Sequence, residues 1–126
     1  MEYATQMDAA RKGIYTKELL AVAEDEKIDK DELIKLVAKG QVIIPANKNH
    51  KCLKPSGIKL RTKINVNLGT SRDWTDLDME MEKVKSAVDM GAEAIMDLSS
   101  CGDTQVFRRK LTSECPAVIG TVPIYD

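Results

Sequence analysis

The chain contains no apolar run approaching the roughly 18 residues that a membrane-spanning helix needs. Its start, Met1-Glu2-Tyr3-Ala4-Thr5-Gln6, lacks the basic stretch and apolar segment of a secretory signal. Charge of one sign is also missing: 19 Lys and Arg stand against 20 Asp and Glu. That balance removes the usual electrostatic ground for a nucleic acid or an anionic membrane partner. Cysteines are few and odd in number (Cys52, Cys101, Cys115), with no C-x-x-C among them. They read as reduced thiols of a cytoplasmic protein and offer no metal site by spacing. The one histidine, His50, cannot build a metal centre alone. Length excludes something too. The 126 residues suffice for a domain with a core. A complete eight-stranded α/β barrel needs roughly 200 or more.

What is present begins with a helical leader over residues 1–41. Thr5 can cap a short helix that ends at Gly13, and Thr16 a second carrying Leu19, Leu20, Val22 and Ala23. Asp29 with Glu32 has the form of a capping box, followed by Leu33, Ile34, Leu36 and Val37 and stopped by Gly40. These amphipathic helices read as a packing layer. Val42-Ile43-Ile44-Pro45 is a short extended run. Ala46-Asn47-Lys48-Asn49-His50-Lys51 is a polar loop, and Pro55-Ser56-Gly57 a turn.

Alternation then takes over. Leu60, Thr62, Ile64, Val66 and Leu68 share one face of a predicted strand, and Arg61, Lys63, Asn65 and Asn67 the other. Further strands are expected near 93–98 and 117–125. The helix between the first two carries Leu77, Met81, Val84 and Val88 at helical spacing, with Met79 and Met90 also read as core, and ends at Gly91. Asp103 or Thr104 starts the next helix, which carries Val106, Phe107 and Leu111. Strand, helix, strand, helix, strand at this spacing predicts parallel pairing with right-handed crossovers. The expected class is α/β: a helical region, then the first three parallel strands of a (β/α)8 barrel over residues 42–126, incomplete because the chain stops at Asp126. Two open sheet edges then predict that the isolated chain self-associates or is only partly ordered.

Asn67, Met96 and Tyr125 close or nearly close the three strand segments and fall 29 residues apart. In parallel α/β folds the chemistry gathers at the carboxyl ends of strands, so these three are candidate ligand contacts. The polar row Lys63, Asn65, Asn67 would face a barrel interior, where polar groups need partners, and a ligand is one way to supply them. Other residues carry two readings. Ser99-Ser100-Cys101-Gly102 is a phosphate cradle or an ordinary strand-to-helix turn. Asp97 holds a ligand hydroxyl, pairs with Lys63 or caps a helix. Cys101 lacks an identifiable base, which favours an incidental thiol over a nucleophile. Tyr125 is a ligand donor or a packing residue at the rim. The Asn47–His50 segment is a solvated loop or a lid.

Taken in order, Met7-Asp8-Ala9-Ala10-Arg11-Lys12-Gly13-Ile14, Leu36-Val37-Ala38-Lys39-Gly40, Ile44-Pro45-Ala46-Asn47-Lys48-Asn49-His50, Lys63-Ile64-Asn65-Val66-Asn67-Leu68-Gly69, Ala94-Ile95-Met96-Asp97-Leu98-Ser99 and Gly120-Thr121-Val122-Pro123-Ile124-Tyr125 resemble the amino-terminal part of the phosphomethylpyrimidine synthase family. The resemblance implies a radical S-adenosylmethionine lyase with a (β/α)8 barrel behind a helical region. Such an enzyme rearranges 5-aminoimidazole ribotide to hydroxymethylpyrimidine phosphate for thiamine biosynthesis. It also implies that Asn67, Met96 and Tyr125 contact that substrate, and that the full-length protein is a homo-oligomer. The family's [4Fe–4S] cluster is held by a C-x-x-C-x-x-x-x-C motif that has no match here, so the isolated chain is expected to be inactive and catalytic residues are not assigned. Two other readings remain open on this stretch: a paralogue making 5-hydroxybenzimidazole from the same ribotide, and a non-catalytic ligand-binding remnant.

Overall fold

A computed structural model of the chain describes residues 3–47 and 52–125. The predicted polar loop at Lys48, Asn49, His50 and Lys51 therefore lies outside the described residues. The chain forms two compact units that divide between Thr62 and Lys63.

The first unit is the helical leader plus a short β pair. Helix α1 spans Gln6–Arg11, α2 Lys17–Glu26 and α3 Lys30–Ala38. Each starts where a hydroxyl or carboxylate accepts an otherwise orphan amide. Thr5 accepts from Asp8 N, Thr16 from Leu19 N, and Asp29 from both Asp31 N and Glu32 N. The expected capping box is half built, because the Glu32 carboxylate turns instead to the Lys59 ammonium. Leu19, Val22, Leu33, Val37 and Val42 are buried together in one apolar core. Two details differ from expectation. Ser56–Gly57 is a strand, β2, paired antiparallel with β1 at Val42–Ile43, where a turn was predicted. Gly57 adopts φ +155°, and a Cβ there would overlap the Gln41 carbonyl oxygen, so the pairing depends on glycine. Val42 and Ile44 also pack with the helices, which puts the unit boundary well past residue 41.

The second unit is a three-stranded parallel sheet with two helices. Strand β3 spans Asn65–Leu68, α4 Leu77–Asp89, β4 Ala94–Asp97, α5 Thr104–Glu114 and β5 Val118–Thr121, followed by a 3-10 turn at Pro123–Tyr125. The order β3-β4-β5 is parallel throughout. Asp76 caps α4 and Asp103 caps α5. Leu68, Ile95, Met81, Val84, Phe107 and Leu111 form one buried cluster, with Val66 and Ile119 packed against it. Helix-facing side chains from all three strands therefore meet both helices on the same side of the sheet. No helix among the described residues is long and apolar enough to cross a membrane.

The strands are shorter than alternation alone predicted. Leu60 packs in the first unit's core, and Ile64 is more than half exposed, so neither joins the expected helix-facing row. The third strand stops at Thr121 and not at Tyr125, because Pro123 has no N–H to continue the ladder. Met81 is core as expected, but Met79 is partly exposed and Met90 is 84% exposed. Neither lies on the stripe of Leu77, Met81, Val84 and Val88, and Met90 is already the C-cap.

Candidate functional site at the carboxyl end of the sheet

Side chains alternate across each strand, so every register row divides the sheet into two faces. Val66, Leu68, Ile95 and Ile119 meet the helices. Asn65, Asn67, Ala94, Met96, Val118 and Gly120 occupy the opposite, helix-free face. Asn67 lies level with Met96, and Met96 with Gly120. Thus Asn67 and Met96 are neighbours on that face, one residue before the strands end. Asn67 is exposed and accepts a hydrogen bond at Oδ1 from Asn65 Nδ2 at 2.9 Å. Met96 lies across the next strand, and a Cβ at Gly120 would come within 2.8 Å of its methyl carbon. Glycine at 120 is what lets the thioether lie over β5. Tyr125 is not level with either residue. It sits in the 3-10 turn, half exposed, its amide bonded to the Val122 carbonyl at 3.0 Å. The first 29-residue step, Asn67 to Met96, coincides with register, but the second does not, since the residue of β5 level with Met96 is Gly120 and not Tyr125.

Asp97 belongs to the other face. It is fully buried, its Oδ2 accepting from Arg108 Nε of α5 at 3.0 Å and its Oδ1 from Ser99 N at 2.9 Å. Neither expected protein role, pairing with Lys63 or capping a helix, is the one found. Both oxygens are engaged by the protein, so Asp97 is an anchor between strand and helix.

Two loops cross the carboxyl ends and are tied to each other. Thr70 N donates to Ser99 Oγ at 3.1 Å, Thr70 Oγ1 to the Cys101 carbonyl at 2.5 Å, and Ser100 N to the Thr70 carbonyl at 3.1 Å. Gly69 permits this approach: a Cβ there would overlap Ser99 N, and its φ of +142° is open to glycine alone. Gly69 N in turn donates at 2.9 Å to Glu80 Oε2, a fully buried carboxylate of α4 whose other oxygen meets Lys83 Nζ at 2.5 Å. The Ser99–Gly102 segment thus spends amides on its neighbours: Ser99 N goes to Asp97 and Ser100 N to Thr70. Asp103 places a carboxylate at the start of α5. A turn, not a phosphate cradle, fits these bonds.

Glu80, Arg108 and Glu93 were not singled out from sequence. Glu93, nearly buried at the opposite end of the sheet, accepts from Ile64 N at 2.6 Å. Glu80 carried a readable signal, because it stands between Leu77 and Met81 on the apolar stripe of α4, where an unpaired charge would be costly. Arg108 carried none, since an arginine on a helix is ordinarily solvated.

An iron–sulfur cluster does not fit these residues. Cys115 is buried in the helix–sheet core after α5, Cys101 lies in the loop before α5, and Cys52 belongs to the first unit. No three His, Cys, Asp or Glu side chains gather among the described residues in a way that could hold a metal ion. A groove of about 600 Å³ runs along the open edge of β3 and α4, lined by Ile64, Val66, Met79, Ala87 and Met90 among others. Its walls are mainly apolar, and Asn67, Glu82, Lys83 and Ser86 are the polar residues among its lining.

The model of the Radical SAM ThiC family matches residues 5–126. Phosphomethylpyrimidine synthase of Clostridium botulinum (strain Okra / Type B1) is 62% identical over 128 aligned residues, which cover all of this chain and 29% of that protein. The protein of the same name from C. botulinum (strain Hall / ATCC 3502 / NCTC 13319 / Type A) gives the same identity and coverage. That of Clostridioides difficile (strain 630) is 60% identical, with 30% of it covered. The chain spans about three-tenths of the length of these relatives. It belongs to the radical SAM ThiC family.

Proposed function

We propose that this chain is the amino-terminal part of a phosphomethylpyrimidine synthase and forms one side of its pocket for 5-aminoimidazole ribotide. In this reading the three parallel strands begin a (β/α)8 barrel whose interior is the helix-free face. The apolar groove beside β3 is where a further strand and helix of the same barrel would pack. Asn67 and Tyr125 hydrogen-bond the ribotide and Met96 packs against it. The full-length protein is a cytoplasmic radical S-adenosylmethionine carbon–carbon lyase of thiamine biosynthesis, homo-oligomeric, with its [4Fe–4S] cluster on other residues. No cysteine set among the described residues fits that cluster, and this chain alone is inactive.

The observation that carries the proposal is the register of Asn67 beside Met96 on the helix-free face at the carboxyl end. A polar donor and a soft apolar side chain, side by side and exposed, suit a ligand with a heteroatom-bearing ring. Paired residues such as Asp97 do not offer this, because their bonding capacity is used. The test is calorimetry of the chain with 5-aminoimidazole ribotide, unaltered and as Asn67→Ala. Binding that Asn67→Ala abolishes supports the half-pocket. Absence of binding, or binding indifferent to Asn67, rejects it.

A further inference from the structure

We infer that Asn65 is a positioning residue that orients the Asn67 amide, so that Asn67 meets its ligand as a hydrogen-bond donor. This rests on the pocket reading above. An asparagine amide has two nearly isosteric ends, an acceptor oxygen and a donor NH₂, and in isolation either can face a ligand. Here the residue two positions earlier supplies a donor to that oxygen. Residues i and i+2 of a strand point to the same face, and Asn65 Nδ2 donates to Asn67 Oδ1 at 2.9 Å. Both side chains are exposed on that face. With its oxygen engaged, Asn67 turns its NH₂ away from Asn65, and among the described residues this is the one hydrogen bond its side chain makes. Ala94, level with Asn65, is too small to compete for the Asn65 amide, and Met96, level with Asn67, is only a weak acceptor. The ligand atom opposite Asn67 is therefore an acceptor: a ring nitrogen, a hydroxyl oxygen or a phosphate oxygen of the ribotide.

The proposal makes a polarity test possible at constant size. Asn65→Asp keeps the shape but replaces the donor by a carboxylate, which can only accept. The Asn67 amide then flips to donate to it and presents its oxygen to the ligand. Asn65→Leu keeps the branched, four-heavy-atom side chain and removes the orienting bond. Asn65→Gln keeps a donor. Binding of 5-aminoimidazole ribotide to the full-length protein is measured by calorimetry, with Asn67→Ala as reference and circular dichroism to confirm folding. Loss of a good hydrogen bond and an opposed dipole weakens binding about tenfold. The expected order is near-unaltered affinity for Asn65→Gln, a modest loss for Asn65→Leu and about tenfold loss for Asn65→Asp. Asn65→Asp combined with Asn67→Ala should be no worse than Asn67→Ala alone, which a merely structural role would not produce. If Asn67→Ala weakens binding while Asn65→Asp and Asn65→Leu do not, the positioning role is overturned and the pocket reading stands. If the unaltered protein fails to bind, or Asn67→Ala is without effect, the pocket reading falls and takes this inference with it.

Discussion

Replacing Asp97 by alanine separates an anchoring carboxylate from a ligand-binding one. The side chain is fully buried and both oxygens are occupied, one by Arg108 Nε at 3.0 Å and one by Ser99 N at 2.9 Å. Alanine leaves the Ser99 amide without its acceptor and the Arg108 guanidinium without its counter-charge. Breaking a buried ion pair from one side costs about 3–5 kcal/mol. The Arg108 side chain is 23% exposed and keeps another interaction, so water and that partner recover part of the loss. The lower end applies, about 3 kcal/mol. Asparagine at 97 retains an acceptor for the Ser99 amide and loses only the charge, so about half that cost is expected.

The assay is urea unfolding followed by far-ultraviolet circular dichroism at fixed protein concentration, as a cycle of Asp97→Ala, Arg108→Ala and the double variant. The pair predicts a coupling above about 1 kcal/mol, since each alanine removes the same contact. Additive single effects, or a loss under about 1 kcal/mol for Asp97→Ala, would refute the anchoring account. So would a variant of unchanged stability that no longer binds ribotide, because Asp97 would then be touching the ligand.

Gly69→Ala should destabilise the second unit by at least about 2 kcal/mol in the same unfolding assay, combining a left-hand φ with backbone overlap at Ser99; a loss within 0.5 kcal/mol, roughly that of an ordinary surface change, would show that the loops are not in this contact. Asp8 is held below the usual carboxylate range, first by the Ala4 amide at 3.0 Å and then by Lys12 Nζ at 3.0 Å. Its folded value is thus lower than its unfolded one. The stability it supplies to α1 is complete above the ordinary carboxylate value and disappears as pH falls through the lowered one. A carbon-detected NMR titration should place the Asp8 midpoint below that of a free aspartate, and Lys12→Ala should raise it. Equal midpoints in the two proteins would exclude the ammonium as a contributor.

How far the fold was legible follows from which signals are local. Caps at Thr5, Thr16 and Asp29, stops at Gly40 and Gly91, and the stripe of α4 depend on residues within a turn or two, and each appears where the sequence puts it. Strand ends are set by partners far along the chain, and there reading failed. Leu60 keeps the alternation of β3 but packs in the other unit, and Tyr125 lies beyond a proline that ends β5. The β1–β2 pair was hidden because two residues of each strand carry no period at all. Within the candidate site, the placing of Asn67 beside Met96 was readable from strand ends and spacing, but Asn65 was readable only as a member of a polar row. Its bond to Asn67 depends on a side-chain rotamer that no sequence pattern encodes.

The pleat explains why neighbouring polar residues at one end of a sheet acquire different work. Met96 and Asp97 are adjacent in sequence, yet strand geometry sends them to opposite faces. On the helix side, Asp97, Ser99 and Glu80 face close-packed neighbours, where an unpaired polar atom costs about 1–3 kcal/mol, so each is satisfied by the protein. On the helix-free side no helix of this unit demands such pairing, and Asn67 keeps its donors. The paired network ties the loops together, while Asn65 and Asn67 bond to each other on the exposed face, and the Asn67 NH₂ is what the proposed ligand would meet. Moving β4 by one residue in register would exchange these roles, placing a charged Asp97 beside Asn67 and burying Met96 under the helices. Gly69 permits the observed register, because a Cβ there would overlap Ser99 N and Leu98 C; the burial of one face is what disfavours the slip.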